Sequence, residues 1–205
     1  LKELRACIKS SKNILFEGDN YSEAWANEAE KRGLPNVKTT PTALDAYTTK
    51  KAKEIFSKNN ILSEKEQEAR HEIYLENYIK KVEIESSLVE ELTMNQILPA
   101  CIRFQTDLFQ NIKASSEAGI PNKTAQTIAK SVSAHIDEVY AGIEKMKAAR
   151  SKVHHLNTTR DKAIALCDQV KPLFLEIRSH VDDLELLVED KYWPLPKYRE
   201  ILFNR

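Results

Sequence analysis

The stretch KTAQTIAKSVSAHIDEVYAGIEKMKAARSKV, residues 123–153, decides the fold class. Its apolar residues Ile128, Val132, Ile136, Val139, Ile143 and Met146 follow one another by four, four, three, four and three positions. That rhythm lays them along one face of an α-helix, whereas a strand would scatter them over both its faces. Polar residues fill the opposite face. The spacing predicts a long amphipathic helix whose stripe needs partners.

The same pattern continues on both sides. His154-His155-Leu156-Asn157-Thr158 breaks the helix. A third helix is predicted from about Thr159 to Asp190, with Ile164, Cys167, Val170, Phe174, Ile177, Val181, Leu184 and Leu187 on its stripe. Upstream, Ala118-Gly119-Ile120-Pro121-Asn122 is a second break. Before it, Ser63 with Glu66 three residues later forms a capping box. That box opens a very long helix to about Glu117, carrying Leu75, Ile79, Val82, Val89, Leu92, Gln96, Ile102 and Phe109. Pro99 and Pro172 lie inside helical stretches and predict kinks, since proline lacks an N–H and clashes one turn back.

Two short connectors between three long helices predict antiparallel neighbours crossing near +20°. The expected architecture is therefore mainly all-α. Residues 63–190 form an antiparallel bundle of three long helices, the first projecting beyond the others. Residues 1–62 form a small mixed segment. Leu1, Leu4 and Ile8 share a helical face, and Asn13–Glu17 is one strand or an extended segment. Ser22 caps a helix that ends at Arg32-Gly33, and Thr49–Lys58 is helical. Residues 191–205 form an extended tail rich in proline and aromatics. Leu1 opens the chain inside a helix, which reads as a piece of a longer polypeptide.

Composition agrees. Four glycines in 205 residues is well below the usual ~7% and disfavours sandwiches, barrels and phosphate-cradling loops. Lys+Arg and Asp+Glu are equal at 31 each, so no net field points to nucleic acid or an anionic membrane. No apolar run approaches the ~20 residues that span a bilayer. Cys7, Cys101 and Cys167 are few and scattered, as in a reduced cytoplasmic protein.

Catalytic constellations are weak. Glu68-Ala69-Arg70-His71 supplies one half of a di-iron carboxylate motif, and no second copy exists. His154-His155 has no ligand cluster beside it, and the acidic runs Val82–Glu85 and Asp182–Glu185 are solvated helix faces. No catalytic, cofactor-binding or metal-ligating residue is assigned. The aromatic and apolar residues Tyr21, Trp25, Tyr192, Trp193, Leu195, Tyr198, Leu202 and Phe203 are the candidates for interfaces.

Three blocks carry a resemblance. The first is Phe16-Glu17-Gly18-Asp19-Asn20-Tyr21-Ser22-Glu23-Ala24-Trp25, followed by Glu28-Ala29-Glu30-Lys31-Arg32-Gly33-Leu34-Pro35-Asn36 and Lys38-Thr39-Thr40-Pro41. The second is Arg70-His71-Glu72-Ile73-Tyr74-Leu75-Glu76-Asn77-Tyr78, with Gln96-Ile97-Leu98-Pro99-Ala100 beyond it. The third is Trp193-Pro194-Leu195-Pro196-Lys197-Tyr198 with Leu202-Phe203. In this order they resemble the C-terminal region of type III glutamine synthetases along essentially the whole chain. Asn20 stands where that family has Gly, and His71 where it has Tyr.

The resemblance implies a parent ligase of nitrogen metabolism that joins ammonia to glutamate with ATP and Mg²⁺ or Mn²⁺. It implies a ring assembly, typically two stacked hexamers. The family's metal-binding carboxylates and substrate-binding arginines lie upstream of the matched region, so none is carried over. The expectation is a non-catalytic helical domain, inactive alone, that buttresses the catalytic region of the same polypeptide and contributes to oligomer contacts. The alternative is a free-standing helical module that binds a protein or a regulatory ligand.

Overall fold

Residues 1–203 are described by a computed structural model, Asn13 and Tyr198 by their backbone alone. Among these residues there is no strand. Four short helices come first: α1 (Lys2–Ser10), α2 (Glu23–Lys31), α3 (Thr40–Leu44) and α4 (Lys50–Lys58). Then come α5 (Glu64–Leu92), α6 (Leu98–Glu117), α7 (Lys123–His154), α8 (Thr159–Ala165) and α9 (Lys171–Leu187). A last short helix, α10, spans Tyr198–Leu202.

Five of these helices form three rods. α5 runs into α6, α7 stands alone, and α8 runs into α9. Side-chain pairs fix the directions. Asn122 Nδ2 donates to Asn111 Oδ1 at 3.1 Å, and Arg150 donates to Glu90 and Ser87, both at 2.9 Å. The first rod's numbers fall as those of α7 rise, so the two are antiparallel. The third rod reaches back to the first through Thr159–Glu72 at one end and Tyr192–Asp107 at the other. Those two rods are therefore parallel, as an up-down-up bundle requires. At ~1.5 Å per residue the first rod is ~80 Å long and α7 ~48 Å.

The helix ends follow local chemistry. Ser63 and Glu66 make the expected capping box, and Glu66 Oε2 accepts from the Ser63 N–H at 2.8 Å. Gly119 ends α6 with φ +74, a conformation that costs glycine little. There the Ile120 N–H reaches Ser115 O at 2.9 Å and the Gly119 N–H reaches Ser116 O at 3.0 Å, the Schellman pattern.

Both prolines follow a π-turn. Thr93–Ile97 and Leu166–Val170 are π-helical, and the next N–H, of Leu98 or Lys171, bonds five residues back to Thr93 O or Leu166 O. In a regular α-helix the rings of Pro99 and Pro172 would strike the carbonyls of Asn95 and Asp168. Widening the turn before each proline relieves the clash without ending the rod.

The π-turn also moves the stripe. Ile102 and Phe109, expected inside, are about half exposed, while Ile97 and Cys101 are buried and Phe104 and Leu108 half-buried. One extra residue in a turn rotates everything after it by about 100°. The core is otherwise the expected one: Val82, Val132, Val139, Ile143, Met146, Val170, Ile177 and Leu184 form one cluster.

Two local expectations differ from the structure. Asn13–Glu17 holds no strand: Lys12–Ile14 is a 3₁₀ turn, and Leu15 beyond it is extended with no partner strand. The tail is extended only to Lys197, after which α10 forms, the N–H of its N-cap residue Lys197 donating to Glu200 Oε2 at 2.9 Å. Cys7 is exposed, Cys167 half-buried and Cys101 buried.

Candidate functional site

The tail is a clamp on the bundle. Val188 turns the chain out of α9 into extended backbone. Trp193 is only 8% exposed and joins the core cluster. Tyr192 packs on Phe104 with ring centroids 5.9 Å apart, and its hydroxyl donates to Asp107. Lys197 Nζ donates to Glu185 O at 2.9 Å and to Asp190 at 2.6 Å, and Arg199 also pairs with Asp190. These cations hold the Asp190 carboxyl below its ordinary range. Leu195 lines an apolar cleft of about 460 Å³ between α5 and α9, together with Leu88, Leu92, Phe174 and Val181.

Beyond the clamp the apolar side chains turn outward. Leu202 is 76% and Phe203 80% exposed. The side chain of Tyr198 lies outside the described residues. A second unpartnered face lies at the N-terminus. α1 buries no residue, and Leu1, Leu4 and Ile8 are exposed along one side of it. Ile14 and Leu15 continue that apolar surface in sequence. Tyr21 is 99% exposed, whereas Trp25 packs on Phe16 at 4.6 Å.

Seven of the eight candidate interface residues thus divide. Tyr192, Trp193 and Leu195 pack within the chain, Trp25 packs locally, and Tyr21, Leu202 and Phe203 face outward. The exposed face of α1 continues the same theme at residues the sequence reading placed on a helix but not among the interface candidates. Their period-3.6 spacing on an otherwise charged helix is the signal for them.

The N-terminal segment is tied to the bundle at several polar points. Arg160 of α8 forks onto Asp45 at 2.8 and 2.6 Å. That bidentate bond, followed by the Arg160 charge, holds the Asp45 carboxyl below its ordinary value. Lys53 bridges Glu64 and Glu68 at 2.5 and 2.7 Å, joining α4 to the start of α5.

Groups able to share a metal ion are scarce. Among the described residues one such group appears: His135 on α7 with His180 and Asp183 on α9. The residue numbers 135 and 180 are too far apart for sequence to pair them. The only local signal is the i, i+3 spacing of His180 and Asp183. His154 and His155 are exposed and belong to no such group. Two imidazoles and one carboxylate do not suit Mg²⁺ with a nucleotide, which takes oxygen ligands. No described helix is long and apolar enough to cross a membrane.

Comparison with known proteins gives this architecture a family. Residues 1–116 match the family model described as the glutamine synthetase C-terminal domain. The chain is 35% identical to a glutamine synthetase of Bacteroides fragilis (strain YCH46), over 98% of this chain and 28% of that protein. It is also 35% identical to the type-3 glutamine synthetase of Dictyostelium discoideum, over 94% of this chain and 27% of that protein. Identity to a glutamine synthetase of Butyrivibrio fibrisolvens is 28%, over 98% of this chain and 29% of that protein. The chain spans less than a third of the length of these relatives. By its matched residues and by these relatives, the chain belongs to the family of glutamine synthetase C-terminal domains, of the kind carried by type III enzymes.

Proposed function

We propose that this chain is the non-catalytic helical C-terminal domain of a polypeptide that ligates ammonia to glutamate. ATP and Mg²⁺ or Mn²⁺ would be held by the catalytic region of that polypeptide. The domain would buttress that region and contribute to contacts in a homo-oligomer of two stacked hexameric rings in the cytoplasm. The single observation that carries this reading is the apolar face of α1. A nine-residue helix that buries none of its own side chains is not stable alone in water, since isolated helices shorter than ~12–15 residues are marginal. Such a helix needs a surface to cover Leu1, Leu4 and Ile8.

Leu202 and Phe203 supply a second uncovered patch, suited to a contact between subunits. Burying either side chain fully would contribute about 1.5–3 kcal/mol. The test places Leu4→Glu with Ile8→Glu, and separately Leu202→Glu with Phe203→Glu, in the complete enzyme. The first pair is expected to lower thermal stability of the catalytic region. The second is expected to shift the mass in sedimentation towards smaller assemblies. If both variants keep the stability, mass and activity of the parent, the reading is wrong.

A further inference from the structure

His135 and His180 meet across the seam between α7 and α9, Nδ1 to Nδ1 at 3.1 Å. Their rings are tilted by 52° with centroids 5.3 Å apart, so the two nitrogens, not the ring faces, confront each other. Asp183 lies one turn beyond His180 on the same helix face. Its Oδ2 stands 3.8 Å from His135 Nδ1. One ligand atom from each of the three residues lies within 4.8 Å of the other two. Both histidines are half-buried, while Asp183 is exposed.

The geometry points to a binding site for a borderline transition-metal ion, Zn²⁺ by donor preference, that staples α7 to α9. Nitrogen and oxygen ligands sit ~2.0–2.2 Å from Zn²⁺. Two atoms on a tetrahedral ion of that radius are therefore ~3.3 Å apart. The 3.1 and 3.8 Å separations bracket that edge, and with all three atoms within 4.8 Å of one another side-chain rotations bring them onto one ion. Two imidazoles with one carboxylate select Zn²⁺ and its neighbours over Mg²⁺ or Ca²⁺. Three protein ligands leave a fourth position, which faces solvent beside Asp183 and takes water.

Without an ion, the tautomers of the two rings decide which donates across the Nδ1–Nδ1 contact. Binding needs a lone pair at both Nδ1 atoms, so each neutral ring carries its proton on Nε2. The backbones come close in the same seam, since Gly142, two turns along α7 from His135, faces Ile177 on α9. Rigid rods in close contact hold the three ligands ready before any ion arrives.

The test titrates the metal-free 205-residue chain with Co²⁺, whose visible absorption reports four-coordinate geometry, and then adds Zn²⁺. The expected result is one equivalent of Co²⁺ with strong visible bands, displaced by one equivalent of Zn²⁺. Free Zn²⁺ at a hundredfold excess over Kd should raise Tm by about 5–10 °C. His135→Ala and His180→Ala should abolish the bands. Asp183→Asn, at an exposed position that folding tolerates, should weaken binding at least tenfold. His154→Ala combined with His155→Ala should change nothing. The proposal is overturned if no bands appear at stoichiometric Co²⁺, if they survive Asp183→Asn undiminished, or if they vanish with the His154 and His155 pair.

Discussion

Gly142→Ala adds one methyl group at the tightest point of the α7–α9 seam. The new Cβ would stand 2.8 Å from Ile177 Cγ1 and 3.6 Å from Ile177 Cδ1. Carbon atoms prefer ~3.5–4.0 Å, so the overlap approaches 1 Å. Ile177 has little freedom to yield: it is 2% exposed and, being β-branched in a helix, holds one χ1 rotamer. Overpacking of this kind costs about 1–3 kcal/mol. The opposing gain is helix propensity, about 1 kcal/mol for alanine over glycine. The net expectation is a loss of about 1 kcal/mol, read as a Tm lower by about 2–4 °C. In an Ile177→Ala background the struck atom is gone, so the same change should stabilise by about 1 kcal/mol. Ile177→Ala alone should cost about 2–5 kcal/mol. Urea unfolding of the four proteins gives the coupling, expected near 2 kcal/mol. A Gly142→Ala variant that is equally stabilising in both backgrounds would refute the close approach of α7 and α9.

Other consequences are as direct. Ile97→Ala should cost about 2–5 kcal/mol in urea unfolding, and Ile102→Ala less than about 0.5 kcal/mol, because the π-turn buries the first and exposes the second. Cys7 is exposed, while burial pushes the Cys101 thiol up to about 11. A thiol reagent at pH 8 should therefore label Cys7 first and Cys101 only on unfolding, as peptide mapping would reveal. Arg160 holds the Asp45 carboxyl below its ordinary 3.8, so the stability of that pair is full above this value and fades as pH falls through the folded-state pKa. Asp45→Asn should lower Tm at pH 7, and the gap to the unmodified chain should close below pH 3.8.

Local rules carried most of the long-helix architecture. The capping box at Ser63, the breaks at Gly119 and His154–Thr158, and the stripe from Ile128 to Met146 all stand where period and capping place them. Proline chemistry was legible as a disturbance, but its form was not. The π-turn ahead of each proline has no signature in residue type or spacing. The first such turn decided which of Cys101 and Ile102 is buried. Of the interface candidates, the aromatics could be singled out but not sorted. Trp193 and Phe203 look alike in sequence, and the turn after α9 buries one and exposes the other. The histidine pair was invisible because residues 135 and 180 meet only once α7 and α9 are packed antiparallel.

The central claim is that this domain holds an enzyme together without taking part in its chemistry. The most direct measurement is sedimentation velocity, with synthetase activity, on the complete enzyme with and without residues 63–205. The account predicts that the deletion breaks the large assembly into smaller species and lowers activity with it. An enzyme of unchanged mass and unchanged activity after the deletion would contradict the account.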